Sequence, residues 1–370
     1  MDLSERYKLK LVSNADEISK TIGFLDKVLS HRMNEDIWNW EFGLKPHNMV
    51  MSIIYDEQES AVVGSQFMLP IYLVIQNSKI LTGKSENSHA DPALRGTGLF
   101  EKLYAKAVED SVQKNLTCLW GFTPALKVFE KKLGFLVDPG AMYNFSIAIG
   151  KPSLAELSKK ESFPKYIARY FYNSKKHRKY KSVRAILEKN IDYLNEISNI
   201  KISNQPVNWN DLHFLYEELK IANGDFVHLD MNQQYVEWRI LKNPNLSYTT
   251  TFFYKSNVLI GYYVFSISNR SASLADFTGL NQHVLELMYI HLLKTLEEKS
   301  AVVLNYFGNR NNKVNAKNFA LFEKLGGLTQ PNPGMAFVYR DLLKGETNAD
   351  YLSQTNNWYL NGLWTEGFTY

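Results

Sequence analysis

The sequence lacks the features that mark secreted, membrane-spanning or strongly nucleic-acid-binding proteins. It has a single cysteine, Cys118, which excludes an internal disulfide and any zinc site built on cysteines. No apolar run reaches the length of a transmembrane helix, and the N-terminus lacks the apolar segment of a secretory signal. The net charge of +4 is too small to predict nucleic-acid binding. We therefore expect a cytoplasmic protein that needs neither a membrane nor a nucleic acid as partner.

Apolar and aromatic side chains are abundant. Hydrophobic residues make up 45% of the 370 residues and charged residues 22%, which is typical of a globular protein. A chain of this length is long enough for two domains, each with its own core. The aromatic content of 14% suits core packing, and also stacking against sugars or bases.

A glycine-bearing turn lies between a predicted strand, 80–90, and a predicted helix. The turn is Arg95-Gly96-Thr97-Gly98, and apolar residues then recur with a 3.6-residue period as far as Val112. Glycines directly before a helix let the backbone curl tightly and leave N–H groups pointing outward, where the helix dipole adds positive charge. The turn therefore suits a phosphate or pyrophosphate, although a short glycine turn considered alone is as often a plain connection.

The order of elements after this turn resembles the core of the GNAT superfamily of acyl-CoA-dependent N-acyltransferases. In that superfamily, Arg/Gln-x-x-Gly-x-Gly/Ala is followed by a helix, a strand and a helix that ends in a Leu-Gly-Phe turn. Arg95, Gly96, Gly98 and the ending 133–135 match this pattern over about fifty residues. Phe100 departs from it, because it stands where Gly or Ala is usual. Glu130 stands where a Tyr often acts as general acid, so that role cannot be transferred.

Short sequence patterns of the first half of the chain recur in the second half. Trp40 corresponds to Trp238, Gly64 to Gly261, and Gly134 to Gly326, at spacings of 198, 197 and 192 residues. Three such recurrences in the same order favour a duplication. The helix predicted at 284–296 is not preceded by an Arg-x-x-Gly-x-Gly pattern, so the second copy lacks the phosphate cradle.

Together these patterns predict an α/β (α+β) protein with two tandem GNAT-like modules, each a mixed twisted sheet flanked by helices. The expected divisions are a GNAT module that binds acyl-CoA (1–150), a basic interdomain connection (151–204), a degenerate GNAT-like module (205–342) and an aromatic C-terminal tail (343–370). The basic stretch 168–184 interleaves Lys and Arg with Tyr and Phe, and is interpreted as a solvated helix face rather than a phosphate or RNA patch. Disordered segments are poor in aromatic residues, so the tail is expected to pack on the body.

The resemblance implies a donor site for acyl-CoA, as a co-substrate and with no tightly bound cofactor. In GNAT proteins the strand before the turn splays from its neighbour, pantetheine lies in the gap, and a backbone N–H stabilises the oxyanion. The residues implicated for CoA and its thioester are Ser88, His89, Ala90, Arg95, Gly96, Thr97, Gly98, Leu99, Phe100 and Thr123. Thr123 is included because it stands where an Asn often opens the last helix. No metal site is expected.

Two side chains are the candidates for the general base. Glu86 lies nine residues before Arg95, where many superfamily members carry a catalytic Glu or His. A carboxylate desolvated beside a thioester takes up a proton more readily than an exposed one. His89 is the alternative base, since imidazole titrates near neutral pH. Three residues separate the two, so on a regular strand they face opposite sides. The competing interpretations are an ion pair at a domain edge for Glu86 and a hydrogen-bonded strand histidine for His89.

The layout most resembles bacterial enzymes that N-acylate nucleotide-linked amino sugars for surface polysaccharide (lipopolysaccharide or O-antigen) synthesis. We therefore expect a dTDP- or UDP-amino deoxysugar as acceptor, with Trp38, Trp40 and Glu41 as candidate binding residues. The alternatives are an aminoacyl-tRNA-dependent peptidoglycan ligase, an aminoglycoside acetyltransferase, and a binding protein that has lost catalysis but kept CoA as a ligand.

Overall fold

The structure is a computed structural model, which describes residues 3–43, 49–150, 183–343 and 348–365. In the first half of the chain the helices and strands are α1 (Leu3–Arg6), β1 (Tyr7–Leu11), α2 (Ala15–Val28), α3 (Glu35–Trp38), β2 (Val50–Asp56), β3 (Ala61–Ile75), β4 (Ser78–Ala90), α4 (Leu99–Gln113), β5 (Cys118–Thr123), α5 (Leu126–Lys131), β6 (Leu136–Asp138) and β7 (Tyr143–Ala148). Short 3₁₀ and π turns follow β4 and α3, at Pro92–Leu94 and Asn39–Gly43.

The second half repeats this order. Its elements are α6 (Val183–Lys189), α7 (Ile191–Ile197), β8 (Lys201–Ser203), α8 (Asn210–Asn223), β9 (His228–Leu229), α9 (Gln233–Val236), β10 (Tyr248–Lys255), β11 (Val258–Ser268), β12 (Ser271–Gly279), α10 (Gln282–Glu298), β13 (Val303–Gly308), α11 (Lys313–Lys324), β14 (Leu328–Pro331), β15 (Ala336–Asp341) and α12 (Ala349–Ser353). A π turn (Glu237–Leu241) follows α9, as one follows α3.

The strands form two mixed sheets with helices packed on both faces, which confirms the predicted fold class. The first sheet has the order β1-β2-β3-β4-β5-β15-β6, with β9 added against β3. The second has the order β14-β7-β13-β12-β11-β10-β8. Successive residues of β3 lie on opposite faces of the first sheet: Phe67 packs with α2, and Met68 packs with α4.

The two sheets exchange a strand. β7 comes from the first half but lies between β13 and β14 of the second sheet, and β15 lies between β5 and β6 of the first sheet. β7 therefore belongs to the second sheet, although its residues lie within the stretch 1–150 that was predicted as the first module. Since each sheet is incomplete without a strand from the other half, we expect the two halves to unfold together. The domain limits at 150, 204 and 342 remain predictions.

Contacts between the halves follow the internal repeat. The indole N–H of Trp40 donates to the carbonyl of Trp238 at 2.8 Å, and the indole N–H of Trp238 donates to the carbonyl of Trp40 at 2.8 Å. The helices before these residues are capped alike, because Asn34 accepts from the N–H of Ile37 and Asn232 from that of Tyr235. This reciprocal pair supports the duplication indicated by the sequence.

Part of the predicted connection belongs to the second core. Residues 151–182 lie outside the described residues, and so does most of the basic stretch 168–184. From Val183 onward the chain forms α6, α7 and β8. Ile186 and Ile197 pack with Leu293 of α10 in the core of the second sheet. Within the described residues, no helix is both long enough and apolar enough to cross a bilayer.

A buried histidine predicts a loss of stability in acid. His228 stacks on Tyr216 with ring centroids 4.2 Å apart, and burial lowers its pKa from 6.5 to about 3. The unfolded chain binds a proton near pH 6.5 and the folded chain does not, so stability falls as pH drops from 6.5 towards 3. We expect a loss of about 2 kcal/mol between pH 7 and pH 5 from this group alone. The free energy of unfolding is measured in urea at both pH values for the wild type and for His228→Phe, which keeps the stacked ring. This loss should be absent in the variant. If the variant has the same pH dependence as the wild type, His228 is not the group responsible.

Candidate functional site

A gap opens between β4 and β5 in the first sheet. The two strands pair only at Gly83–Leu119 and Lys84–Trp120, although β4 continues to Ala90 and β5 to Thr123. Beyond that point β5 is paired along its other edge with β15. The splay that the sequence led us to expect is therefore present. Beyond Lys84, the peptide groups on this edge of β4 are not paired with β5, so they can form hydrogen bonds with a ligand in the gap.

A β-bulge changes which way the candidate bases face. Asn87 has a φ of 49°, and the pairing passes from Phe67–Glu86 to Ser65–His89, so β4 carries one more residue than β3. Phe67 and Ser65 are two residues apart on a strand and share a face. Their partners Glu86 and His89 therefore share that face as well. The expectation that they face opposite sides is wrong because it assumed a regular strand.

Glu86 is buried and paired with a lysine. Glu86 and Lys84 are 2% and 5% exposed, and the Lys84 Nζ donates to Glu86 Oε1. The ion pair that the sequence allowed for Glu86 is thus present, in the interior rather than at an edge. Glu86 Oε2 is also buried, and no described residue donates a hydrogen bond to it. A buried carboxylate oxygen without a donor is an unused acceptor that an incoming ammonium group would satisfy.

This ion pair lies at the junction of the two halves. Lys84 and Trp120 from the first half line a narrow space together with Trp238 and Arg239 from the second half. The Arg239 guanidinium lies 5.8 Å from the ring centres of both Trp40 and Trp238. Charged side chains from both halves are therefore held beside β4 on the face opposite α4.

His89 is half-buried near the end of the same face. Burial lowers its pKa from 6.5, so the ring is neutral at pH 7. The imidazole makes no hydrogen bond to any described residue, which does not match the satisfied strand histidine considered from the sequence. A neutral, unpaired imidazole can accept a proton directly.

The α4 side of the bulge carries a network of neutral polar groups. The Ser88 hydroxyl donates to the Gln66 side-chain oxygen, the Gln66 amide donates to Ser85 at 3.1 Å, and the Tyr104 hydroxyl donates to Ser85 at 2.9 Å. Burial raises the pKa of Tyr104, which therefore stays protonated. Gln66 and Tyr104 were not anticipated from the sequence, because a strand glutamine and a tyrosine on the apolar face of a helix are ordinary core patterns.

The glycine turn presents backbone N–H groups to open space. Gly96 and Gly98 have φ of 79° and 76°, and a Cβ added at either would meet no atom within 4 Å. Gly98 is the N-cap of α4 and provides no side chain to cap it. Within the described residues, no acceptor takes the N–H groups of Gly96, Gly98 and Phe100. Free N–H groups at the start of a 15-residue helix form an anion site.

The side chains of Leu99 and Phe100, directly after the turn, are directed into the protein. Leu99 is buried with Leu103, and Phe100 packs on Tyr104 with ring centroids 6.1 Å apart. Thr97 fixes the turn, since its hydroxyl donates to the Leu94 carbonyl at 2.7 Å. The departure at Phe100 from the superfamily pattern therefore leaves the turn open, because only its backbone N–H is available there. Arg95 is exposed, with its side chain free to reach an anion.

The other predicted residues have structural contacts. Thr123 ends β5, and its hydroxyl accepts from the N–H of Ala125 at 3.0 Å, which caps the turn before α5. Trp38 packs on Phe67 in the core, Trp40 bonds Trp238 as described, and Glu41 is 2% exposed. Roles in CoA binding for Thr123, and in acceptor binding for Trp38, Trp40 and Glu41, remain predictions.

The corresponding helix of the second module is capped. The Asn281 side chain accepts from the N–H of Val284 at the start of α10, where the first module has only Gly98. β12 pairs with β13 from Ser271 to Leu274 and then diverges from it, as β4 does from β5. Within the described residues both modules therefore have a strand gap, but the helix start beside the gap has no side-chain cap in the first module and is capped by Asn281 in the second.

Residues 360–362 of the C-terminal tail fill the second gap. Gly308 of β13 bridges to Asn361, the N–H of Asn309 donates to Leu360, and a Cβ at Gly362 would lie 2.9 Å from Ala275 of β12. Asp276 pairs with β11 as Glu86 pairs with β3, and it accepts from Asn361 at 2.9 Å. The carboxylate equivalent to Glu86 is thus covered by the tail.

The tail also packs on the first sheet, as expected for an aromatic tail. Trp364 contacts Trp120 with ring centroids 5.0 Å apart, and Trp358 lies 5.6 Å from Trp364. Phe368 and Tyr370 lie outside the described residues. In the portions of the chain that are described, no group of three His, Cys, Asp or Glu side chains is placed to hold a metal ion.

Comparison with solved structures identifies this architecture. A GCN5-related N-acetyltransferase from Anabaena variabilis superposes with a TM-score of 0.57 at 12% identity, over 91% of this chain and 73% of that one. The chain has the GNAT fold. A conserved protein of unknown function from Enterococcus faecalis V583, described as a probable N-acyltransferase, gives 0.58 at 7% identity over 91% and 73%.

The GNAT fold here is the tandem form, since each match extends over both sheets. Saccharomyces cerevisiae N-myristoyltransferase, solved with bound myristoyl-CoA, superposes with a TM-score of 0.55 at 10% identity, over 92% of this chain and 81% of that one. No family model matches the sequence, and no curated protein is similar to it in sequence. The similarity is thus one of fold, and the chemistry must be argued from this chain's own residues.

Proposed function

We propose that this protein is an acyl-CoA-dependent N-acyltransferase whose acceptor is the amino group of a nucleotide-linked amino sugar, of the dTDP- or UDP-deoxysugar class used for surface polysaccharides. The observation that carries the proposal is the open end of α4 beside the β4–β5 gap. Uncapped N–H groups at Gly96, Gly98 and Phe100 fit a pyrophosphate, and the gap fits an extended pantetheine arm. The GNAT fold supports this donor, as does the myristoyl-CoA bound by one protein that shares it.

The same residues account for direct acyl transfer. The attacking amine must lose a proton, the tetrahedral oxyanion must be stabilised, and the thiolate must leave. Peptide N–H groups at the bulge near Ser88 and His89 are the oxyanion donors in this proposal. Glu86 Oε2 is the unused buried acceptor on the amine side, and Lys84 holds its carboxylate in place. Neutral His89 shares that face and is the second candidate base.

The proposal places one donor site on a two-module chain. The gap of the second module contains Leu360 to Gly362, and its helix start is capped by Asn281. The second module then serves as scaffold and acceptor-side wall, with the charged junction at Lys84 and Arg239 between the two. An acyltransferase of this design needs no tightly bound cofactor, because acyl-CoA enters and leaves as a co-substrate.

A thiol-release assay tests this function on the full chain. Acyl-CoAs from acetyl to myristoyl are each combined with dTDP- and UDP-linked amino sugars, an aminoglycoside and a small amine, and free CoA is measured over time. We expect amino-sugar-dependent CoA release with an amide product seen by mass spectrometry. CoA release with the aminoglycoside but with no sugar nucleotide would refute the proposed acceptor. Tight CoA binding without turnover of any amine would refute the proposed catalytic activity.

A further inference from the structure

A cavity of about 670 Å³ lies against the second sheet, on the face opposite α10 and α11. Its floor is a row of polar residues that face one another across four strands. Ser266 of β11 pairs with Ser273 of β12, Ser273 with Asn305 of β13, and Asn305 with Ser146 of β7. Their chain neighbours point the other way, into the core beneath α10 and α11; these neighbours are Phe265, Leu274, Leu304, Tyr306, Phe145 and Ile147.

The lining of this cavity combines polar and apolar residues and carries no charge. Five serines and five side-chain amides line it, together with Thr365, and the lining includes no Lys, Arg, Asp or Glu. Most exposed sheet faces carry charged residues, and most buried ones are apolar. A half-buried floor of hydroxyls and amides fits neither pattern. The strand exchange is essential to it, because Ser146 belongs to the first half of the sequence.

Many of these groups have unused hydrogen-bonding capacity. The side chains of Ser146, Ser266 and Ser273 make no hydrogen bond to any described residue. The Asn305 amide donates to Ser271 at 3.1 Å and leaves its carbonyl oxygen for another donor. Hydroxyl and amide groups both donate and accept, so together they match a ligand that does the same at several points.

We propose that this cavity binds the neutral, polyhydroxylated sugar of the acceptor; this inference rests on the function proposed above. The absence of cationic side chains from the lining disfavours a phosphate, and the polar floor disfavours an acyl chain. A volume of 670 Å³ accommodates a monosaccharide with room for its substituents. The rings of Tyr248 and Phe307 line the same cavity and supply apolar surface for the C–H face of a sugar.

The cavity shares a lining residue with the narrow space beside the ion pair of the candidate base. Thr365 lines both this cavity and the narrow space that contains Lys84 and Trp120. The two spaces meet at Thr365, and in this proposal the sugar is oriented with its amino group towards the side of the cavity nearer to the paired Lys84 and Glu86. The sugar's amino group would project towards β4, and its nucleotide would lie outside the uncharged lining.

Binding measurements with defined probes test the inference. UDP-N-acetylglucosamine and dTDP-glucose are titrated into the full chain and compared with UDP and dTDP alone. We expect the sugar nucleotides to bind more tightly than the bare nucleotides and to protect β11, β12 and β13 from hydrogen exchange. Ser273→Val and Ser146→Val should each weaken sugar-nucleotide binding roughly three- to tenfold, the usual effect of one lost hydrogen bond, without changing binding of the bare nucleotide.

Ser78→Val is the matched control, because Ser78 is an exposed strand serine of the first sheet and does not line the cavity. Equal binding of sugar nucleotide and nucleotide, or no protection of β11–β13, would overturn the inference. So would unchanged binding in both cavity variants. CoA titrated separately reports the donor site: its failure to bind would refute the proposed function while a protected cavity would still stand.

Discussion

Gly98→Val is expected to weaken CoA binding by about 100-fold or more. The N–H groups of Gly98 and Phe100 have no acceptor within the described residues, and space beside Gly98 is open to 4 Å. A valine side chain would occupy that space and keep a phosphate from the backbone. Two hydrogen bonds to a charged group contribute about 1.5–3 kcal/mol each, and each 1.4 kcal/mol is a factor of ten in affinity.

The Gly98→Val substitution also strains the backbone, so the control variant must introduce backbone strain at a site away from the turn. Gly98 has a φ of 76°, and Gly224 at the end of α8 has a φ of 79° and is exposed. A β-branched residue costs about 1–2 kcal/mol at Gly98, which is left-handed with a ψ of 1°, and at least as much at Gly224, whose ψ of 170° is essentially restricted to glycine. Gly224→Val should therefore lower Tm at least as much as Gly98→Val and leave CoA affinity unchanged. The affinity of both folded variants for CoA is measured by calorimetry. If Gly98→Val binds CoA as tightly as the wild type, the pyrophosphate does not bind at this turn.

The donor side of the fold was largely predictable because its signals are local. Glycines at 96 and 98 are needed where the backbone takes positive φ, and the periodic run after them can only be an amphipathic helix. The predicted strand 80–90 and the helix predicted after the glycine turn agree with β4 and α4 of the structure. The duplication was also detectable, since Trp40 and Trp238 keep the same place in the two copies and bond each other.

The strand exchange and the bulge were not predictable from residue patterns. Alternation along β7 and β15 tells which face is buried but not which sheet the strand joins, and both sheets have an equivalent place for it. The bulge depends on Asn87 at a φ of 49°, a conformation that asparagine tolerates but does not require. Its consequence, that Glu86 and His89 share a face, depends on pairing with β3. The burial of Asp276 under the tail likewise requires contacts between residues 83 to 85 positions apart.

The pairing of Glu86 with Lys84 complicates the test of the base, because a lost carboxylate affects folding and chemistry together. Glu86→Gln leaves the Lys84 ammonium buried without its partner, and breaking a buried ion pair in this way costs about 3–5 kcal/mol. A fall in activity in that variant alone would therefore be ambiguous. The double variant Lys84→Met, Glu86→Gln removes both charges, so it should recover most of the lost stability in urea unfolding.

If Glu86 accepts the amine's proton, the double variant should be stable but nearly inactive. We expect kcat to fall by roughly 10²–10⁴ in both Glu86→Gln and the double variant, with CoA affinity nearly unchanged. His89→Gln should lose less than about tenfold in kcat, since in this case His89 takes no proton during the reaction. Recovery of kcat together with stability in the double variant would make the ion pair structural. A large loss in His89→Gln alone would assign the base to His89, and the acid limb of kcat/KM would then lie below pH 6.5, because burial lowers the pKa of that imidazole.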